Sequence, residues 1–316
     1  MTDRYAYYVT RTKIREGRLL SAREMKELSL APTYRDAVQF LVRKGFLEGG
    51  TIEAMLSARR REMLDLIDEF TDIKNAFQIL HIKYDFHNLK TAIKAQISDH
   101  KSKDDYLDGG TVPAEVIRDA VFQKKFGKLP KEMQQYAKTA QSLLLRTRDA
   151  GQFDCYLDRA LLRTIYQEGQ ASEIPYLKSY AENYVAVYDI KIAYRCCMLK
   201  KSKEFMKRAL APCKSLATDQ LAARAAQGRK ALCDYLVHTD YSAAAEAIQQ
   251  SYPAFYRWCA GRLSVPAETE KDKAFGLSPI FAYLFFVEQE INQVRLILTL
   301  KQNHMPNELI TERMWR

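Results

Sequence analysis

Asp85-Phe86-His87-Asn88-Leu89-Lys90 is answered 205 residues later by Glu290-Ile291-Asn292-Gln293-Val294-Arg295. Each six-residue run reads acid, apolar, polar, amide, apolar, base. From the first run, Phe86, Leu89, Ile93 and Ile97 fall at i, i+3, i+7 and i+11, the spacing of one buried helix face. A weaker copy, Asp189-Ile190-Lys191-Ile192-Ala193-Tyr194, lies 104 residues after the first. It keeps the acid and the apolar spacing and drops the amide and the base. Three copies at near-equal intervals predict three related helical domains.

A second element repeats on the same scale. Leu20-Ser21-Ala22-Arg23-Glu24-Met25, Val112-Pro113-Ala114-Glu115-Val116-Ile117, Leu216-Ala217-Thr218-Asp219-Gln220-Leu221 and Met305-Pro306-Asn307-Glu308-Leu309-Ile310 share an apolar residue, a small or helix-starting residue and an early acid. A hydroxyl or proline at the start, with a carboxylate in the first turn, satisfies unpaired amides and meets the positive end of the helix dipole. The copies lie 92, 104 and 89 residues apart, too far for a solenoid repeat of about 20–50 residues. The repeated unit is a domain. The polar loop Ser98–Gly110 and the Ala211-Pro212 step place the boundaries, giving 1–108, 109–212 and 213–316.

The remaining segments read as helices too. Residues 52–70 carry Ile52, Met55, Leu56, Met63, Leu66, Ile67 and Phe70 on one broad stripe, which leaves Arg59, Arg60 and Arg61 for the surface. Residues 130–149 and 153–168 form a helical hairpin broken at Gly151, and 176–209 form one long helical stretch. A proline-containing charged loop follows at 264–273, then a closing helix near 280–302. Glycine and proline are scarce and strand-like alternation is absent, so the expected fold class is all-α.

Several function classes find no support in the residues. The longest apolar run, Pro279–Val287, is far shorter than the ~20 residues that span a bilayer. The first sixteen residues carry charges throughout and do not resemble a secretion signal. No glycine loop is followed by Lys-Ser/Thr, so no phosphate cradle is expected. His81 and His87 are six residues apart and cannot share a helix face as zinc ligands; His100, His238 and His304 lack ligating neighbours. Ser98-Asp99-His100-Lys101 matches a serine–lysine pattern only by two positions and reads as solvated loop. The six cysteines show no metal spacing and read as buried free thiols. No cofactor or metal is expected, and no catalytic constellation.

Of the net charge of +10, +7 falls within residues 109–212. Lys191, Arg195, Lys200, Lys201, Lys203, Lys207 and Arg208 concentrate it near one helical stretch. No helix-turn-helix, RNP or OB pattern accompanies these residues, so acidic protein loops or anionic headgroups fit them better than nucleic acid.

Tyr84 through Lys90, Glu290 through Leu298, the N-terminal Tyr5-Ala6-Tyr7 with Arg11, Glu16, Leu19 and Leu20, and Leu157-Asp158-Arg159 together resemble the C-type subunits of prokaryotic V-type ATP synthases, the family that includes the d-type subunits of eukaryotic vacuolar ATPases. The resemblance runs end to end. Gln293 stands where the family usually has Asn.

The resemblance implies an all-helical, three-domain, funnel-like protein that is not an enzyme. It implies a seat on the cytoplasmic face of the membrane, between the rotor ring of c/K-type subunits and the central stalk built from the D and F subunits, where the chain transmits torque. The motif residues Tyr7, Arg11, Glu16, Asp85, His87, Asn88, Lys90, Glu290 and Arg295 would then serve interdomain or subunit interfaces. Arg59, Arg60, Arg61, Lys200, Lys201 and Lys203 would face the ring or headgroups. The competing reading is a basic helical scaffold that binds RNA or an anionic membrane through its middle third.

Overall fold

The computed structural model describes residues 5–70, 73–98 and 106–314. Among them are sixteen α-helices, two 3-10 segments and no strand, so the chain is all-α as expected. The helices, in chain order, are α1 (Ala6–Glu16), α2 (Ala22–Leu30), α3 (Tyr34–Arg43), α4 (Ile52–Asp68), α5 (Ile82–Ser98) and α6 (Ala114–Phe122). Next come α7 (Lys131–Thr147), α8 (Ala150–Ala171), α9 (Pro175–Met198), α10 (Lys203–Ala209), α11 (Thr218–Gln227) and α12 (Arg229–Leu236). The last four are α13 (Ser242–Gln250), α14 (Tyr252–Lys271), α15 (Ser278–Gln302) and α16 (Asn307–Arg313). They form two compact units, one of Met1–Lys74 with Glu246–Arg316 and one of Asn75–Ala245.

The first unit joins the two ends of the sequence around α15. Every residue from Pro279 to Glu288 is buried, so the first half of α15 is enclosed on all sides and central, apolar all round from Pro279 to Val287. α1, α2, α3, α4 and α14 pack on it, and α16 packs on α2 and α14. The fourth copy of the helix-start element, at Met305, thus lies against the helix begun by the first, at Leu20. Of the apolar stripe expected on 52–70, Met55, Leu56, Met63, Leu66, Ile67 and Phe70 are buried, Leu56 and Phe70 fully, while Ile52 is half-buried. Ser21 and Glu24 form a reciprocal capping box at the start of α2, and Thr33 with Asp36 does the same for α3.

In the second unit α9 takes the central place, packed against α8, α10, α11 and α12. α8 and α9 approach closely at Gly169, where a Cβ would clash with that of Ala181. α5 packs on α6, α7 and α8, and α7 with α8 forms the expected hairpin.

Four local readings are corrected. The hairpin breaks at Arg148, in the left-handed region (φ 54°), and not at Gly151, because the Asp149 side chain accepts from the Gln152 amide and starts α8 before the glycine. The 176–209 stretch is two helices: Lys200 is left-handed (φ 50°), and Ser202 caps α10 through the Phe205 amide. Thr218 is the first residue of α11 and supplies no cap. Residues 264–271 are helix and not loop, with Pro266 inside α14. Pro266 faces solvent while Leu263, Ser264 and Ala267 are buried, so burial on one side holds a helix whose missing bond lies on the wet side. The Ser98-Asp99-His100-Lys101 pattern falls largely outside the described residues.

Candidate functional site

Asp85 lies one turn into α5 and is buried. Its Oδ1 accepts from the Val112 amide at 3.0 Å and its Oδ2 from the Thr111 hydroxyl at 2.5 Å. The loop can approach this closely because of Gly110, where a Cβ would collide with Asp85 Oδ1. Asn88, one turn on, accepts from the Leu107 amide at 2.8 Å and donates to the Leu107 carbonyl at 2.9 Å. Gly109 is held through its carbonyl by His81 Nδ1 at 2.8 Å. Acid and amide on α5, with the imidazole just ahead of its first residue, thus tie down one loop, Leu107–Val112. Burial pushes the Asp85 carboxyl above its ordinary value, opposed by Thr111 and Val112.

The weak copy of the motif keeps the same contact. Asp189, fully enclosed on α9, accepts from the Ala211 amide at 3.0 Å. Its Oδ2 makes no hydrogen bond, nor does Arg159 Nε, the cation whose charge reaches it. Burial therefore holds the Asp189 carboxyl well above the carboxylate range. Two turns earlier on α9, Glu182 accepts from the Ser215 amide at 2.8 Å and from its hydroxyl at 2.7 Å, and that hydroxyl lies 2.7 Å from the Tyr241 hydroxyl. Glu182 carried no sequence signal; it is distinguished only by the loop that folds back on it.

In the first unit, Glu290 on α15 accepts from the Leu20 amide at 2.7 Å through one oxygen and from Arg59 Nε at 2.8 Å through the other. Arg59 also donates to the Arg18 carbonyl at 2.9 Å, meets Glu62 at 3.1 Å and stacks over Phe46 at 5.2 Å. Burial raises the Glu290 carboxyl against the opposing Arg59 charge and Leu20 amide. Beside it is a cavity of about 30 Å³ lined by Leu19, Leu20, Met25, Phe286, Glu290 and Gln293. Gln293 is buried and its Oε1 has no hydrogen-bond partner. Arg295, at the end of the motif, takes both oxygens of Glu53 on α4 at 2.7 and 2.8 Å.

The surface assigned to the arginine triplet is corrected. Arg60 is 1% exposed, with its Nε 3.9 Å from the buried Glu288, and the Arg59 side chain is occupied by Glu290. Only Arg61 is exposed. Arg59 and Arg60 stand three or four residues from Met55, Leu56 and Met63 and so share the face of the stripe; acids on α15, more than two hundred residues away in sequence, make the two arginines soluble there. Neither Arg59 nor Arg60 can face headgroups. Lys200 and Lys201 are exposed and Lys203 partly so, beside the exposed Met198 and Leu199.

The other motif residues have separate places. Lys90 pairs with Asp158 of the Leu157-Asp158-Arg159 run at 2.5 Å, joining α5 to α8, while His87 is exposed. Tyr7 is exposed on α1, Arg11 pairs with Glu69, and Glu16, raised mainly by burial, meets Lys13 at 3.2 Å. All six cysteines are free; three are buried and three partly so. Burial pushes the Cys196 thiol up to about 11 and that of Cys213 to about 12, which removes them as thiolate nucleophiles near neutral pH. Among the described residues no three His, Cys, Asp or Glu side chains converge as metal ligands, and no helix is long and apolar enough to cross a membrane. The polar chemistry gathered here is that of carboxyl groups holding backbone, in an all-helical chain.

The chain matches the ATP synthase (C/AC39) subunit family over residues 8–313 and belongs to that family, the C- and d-type subunits of V-type ATP synthases and ATPases. Among individual proteins, it is 24% identical over 266 residues to the C-type subunit of the V-type sodium ATPase of Enterococcus hirae, covering 83% of this chain and 81% of that protein.

Proposed function

We propose that the chain is a noncatalytic rotor part of a V-type ATPase or ATP synthase, linking the central stalk of D and F subunits to the membrane ring of c/K-type subunits. It transmits torque during ATP-coupled ion transport and sits peripherally on the cytoplasmic face. The observation that carries this reading is the family match over nearly the whole chain, joined by the relative's place in a V-type sodium ATPase. Three related helical domains, in a funnel-like pseudo-threefold arrangement, belong to the same reading. Long helices packed side by side, with their connecting loops tied down by buried carboxylates, suit a part that must carry load without bending.

The ring- or headgroup-facing basic residues are Arg61, Lys200, Lys201 and Lys203. Of these, Lys200 and Lys201 stand in an exposed turn that also presents Met198 and Leu199, a tip with both charge and apolar area for an acidic partner surface. Mixing the full chain with the D–F pair and resolving the products by size exclusion tests the assignment: co-elution is expected, together with restored ring-coupled ATPase activity in a complex depleted of this protein. Failure of both overturns it. K200E/K201E should weaken ring attachment while leaving co-elution with D–F unchanged.

A further inference from the structure

We infer that Asp85, Asp189 and Glu290 are three copies of one device, a carboxyl latch by which each repeat holds the backbone that leads into the next, with the last repeat closing on the first. All three acids occupy the first position of the repeated six-residue motif, and all three are at least 95% buried. Each accepts one backbone amide from a loop that leads toward a helix start: Val112, just ahead of α6; Ala211, ahead of α11; and Leu20, just ahead of α2. The order is cyclic: the acid of the first repeat takes the approach to the second, that of the second takes the approach to the third, and that of the third takes the approach to the first.

The held positions share local chemistry. Val112 and Ala211 both precede proline, which keeps them extended and turns their amides away from helical partners. Leu20 precedes the capping box of Ser21, whose own amide is taken by Glu24. In each case the amide would otherwise be left without a helical partner, and a buried one would be costly. The copies differ in what answers the second carboxyl oxygen: the Thr111 hydroxyl for Asp85, Arg59 for Glu290, and no hydrogen bond for Asp189. In the middle copy the loop carries a second tie one residue ahead of Leu216, from Ser215 to Glu182. The contact to Ala211 is therefore the part common to all three, and the partner of the second oxygen is what each copy has varied.

The latch works as an acceptor and not as a charge, and the two roles separate experimentally. Backbone amide exchange is followed by NMR on the full-length protein carrying D85A, D189A or E290A. Each alanine variant is expected to speed exchange at its own latched amide, Val112, Ala211 or Leu20 respectively, by roughly tenfold or more. D85N and D189N, which keep an acceptor oxygen, should retain most of the protection. G110A leaves the acid in place but crowds the loop, and should release Val112 as D85A does, which covers the case in which D85A does not fold. Unchanged exchange at Leu20 in E290A would overturn the cyclic closure. Release in D85N and D189N equal to that in the alanine variants would overturn the acceptor role.

Discussion

A buried carboxyl that faces one amide and no hydrogen-bonded cation behaves differently from one that is bonded to arginine. Asp189 is the first kind. Its native value is raised by burial, so the folded protein binds that proton more tightly than the unfolded chain does. Its contribution to stability is therefore most favourable below the unfolded value of 3.8 and declines as pH rises toward the shifted native value. D189N, fixed in the neutral form, should be at least as stable as the parent at pH 7 and should flatten that decline; urea midpoints measured from pH 4 to pH 8 check both. Glu290 is the second kind. R59A removes its cation and leaves the carboxylate enclosed, at an expected cost of about 3–5 kcal/mol, and E290Q added to R59A should recover part of the loss. A double-mutant cycle in denaturant that shows simple additivity would contradict this pairing.

At the scale of the helix, most starts and stops follow from end chemistry, and the exceptions carry the information. Ser21, Thr33, Thr51, Asp149, Ser202 and Ser251 each accept from an amide in the first turn of the helix they begin. Pro266 breaks the rule from the middle of α14. A proline there costs about 3 kcal/mol relative to alanine, less ~1 kcal/mol that it returns by restricting the unfolded chain. P266A should stabilise the protein by about 2 kcal/mol, read as a rise in thermal midpoint; a fall would mean that the proline ring itself is a packing element. The periodicity of α4, α5 and α7 was legible because one face is buried and the other wet. α9 and α15 were legible only as helices, and their central position was not, since the middle of α9 and the first half of α15 are covered on every side and leave no stripe to read.

Over the whole chain, sequence neighbours are not always structural neighbours. The first unit is assembled from 1–74 and 246–316, so its central helix arrives late in the chain and its contacts close over long separations. Trp258 lies on α14 in that second segment, so its fluorescence reports on this unit. R59A should lower the fluorescence-detected urea midpoint, since Arg59, Glu290 and Trp258 all belong to it; a midpoint unchanged by R59A would place the Arg59–Glu290 contact outside the cooperative core. The second unit is continuous in sequence, its helices packing largely on near neighbours, and refolding followed by helix circular dichroism should include a phase that precedes recovery of tryptophan fluorescence.

The all-helical class, the positions of most helices, the two repeated elements and the family were contained in local pattern, because helix periodicity, capping chemistry and motif order act over a few residues at a time. The fates of the charges were not. Arg59 and Arg61 are two residues apart on one helix and so point to opposite faces; one is enclosed and the other exposed, and what local pattern cannot see is the acid on α15 that receives the enclosed one. The acids of the repeated motif were found from their spacing, but that each one holds a loop amide became visible only once the loops had folded back. A buried charge or amide is tolerated only where a partner is brought to it, and tertiary structure decides which partners arrive.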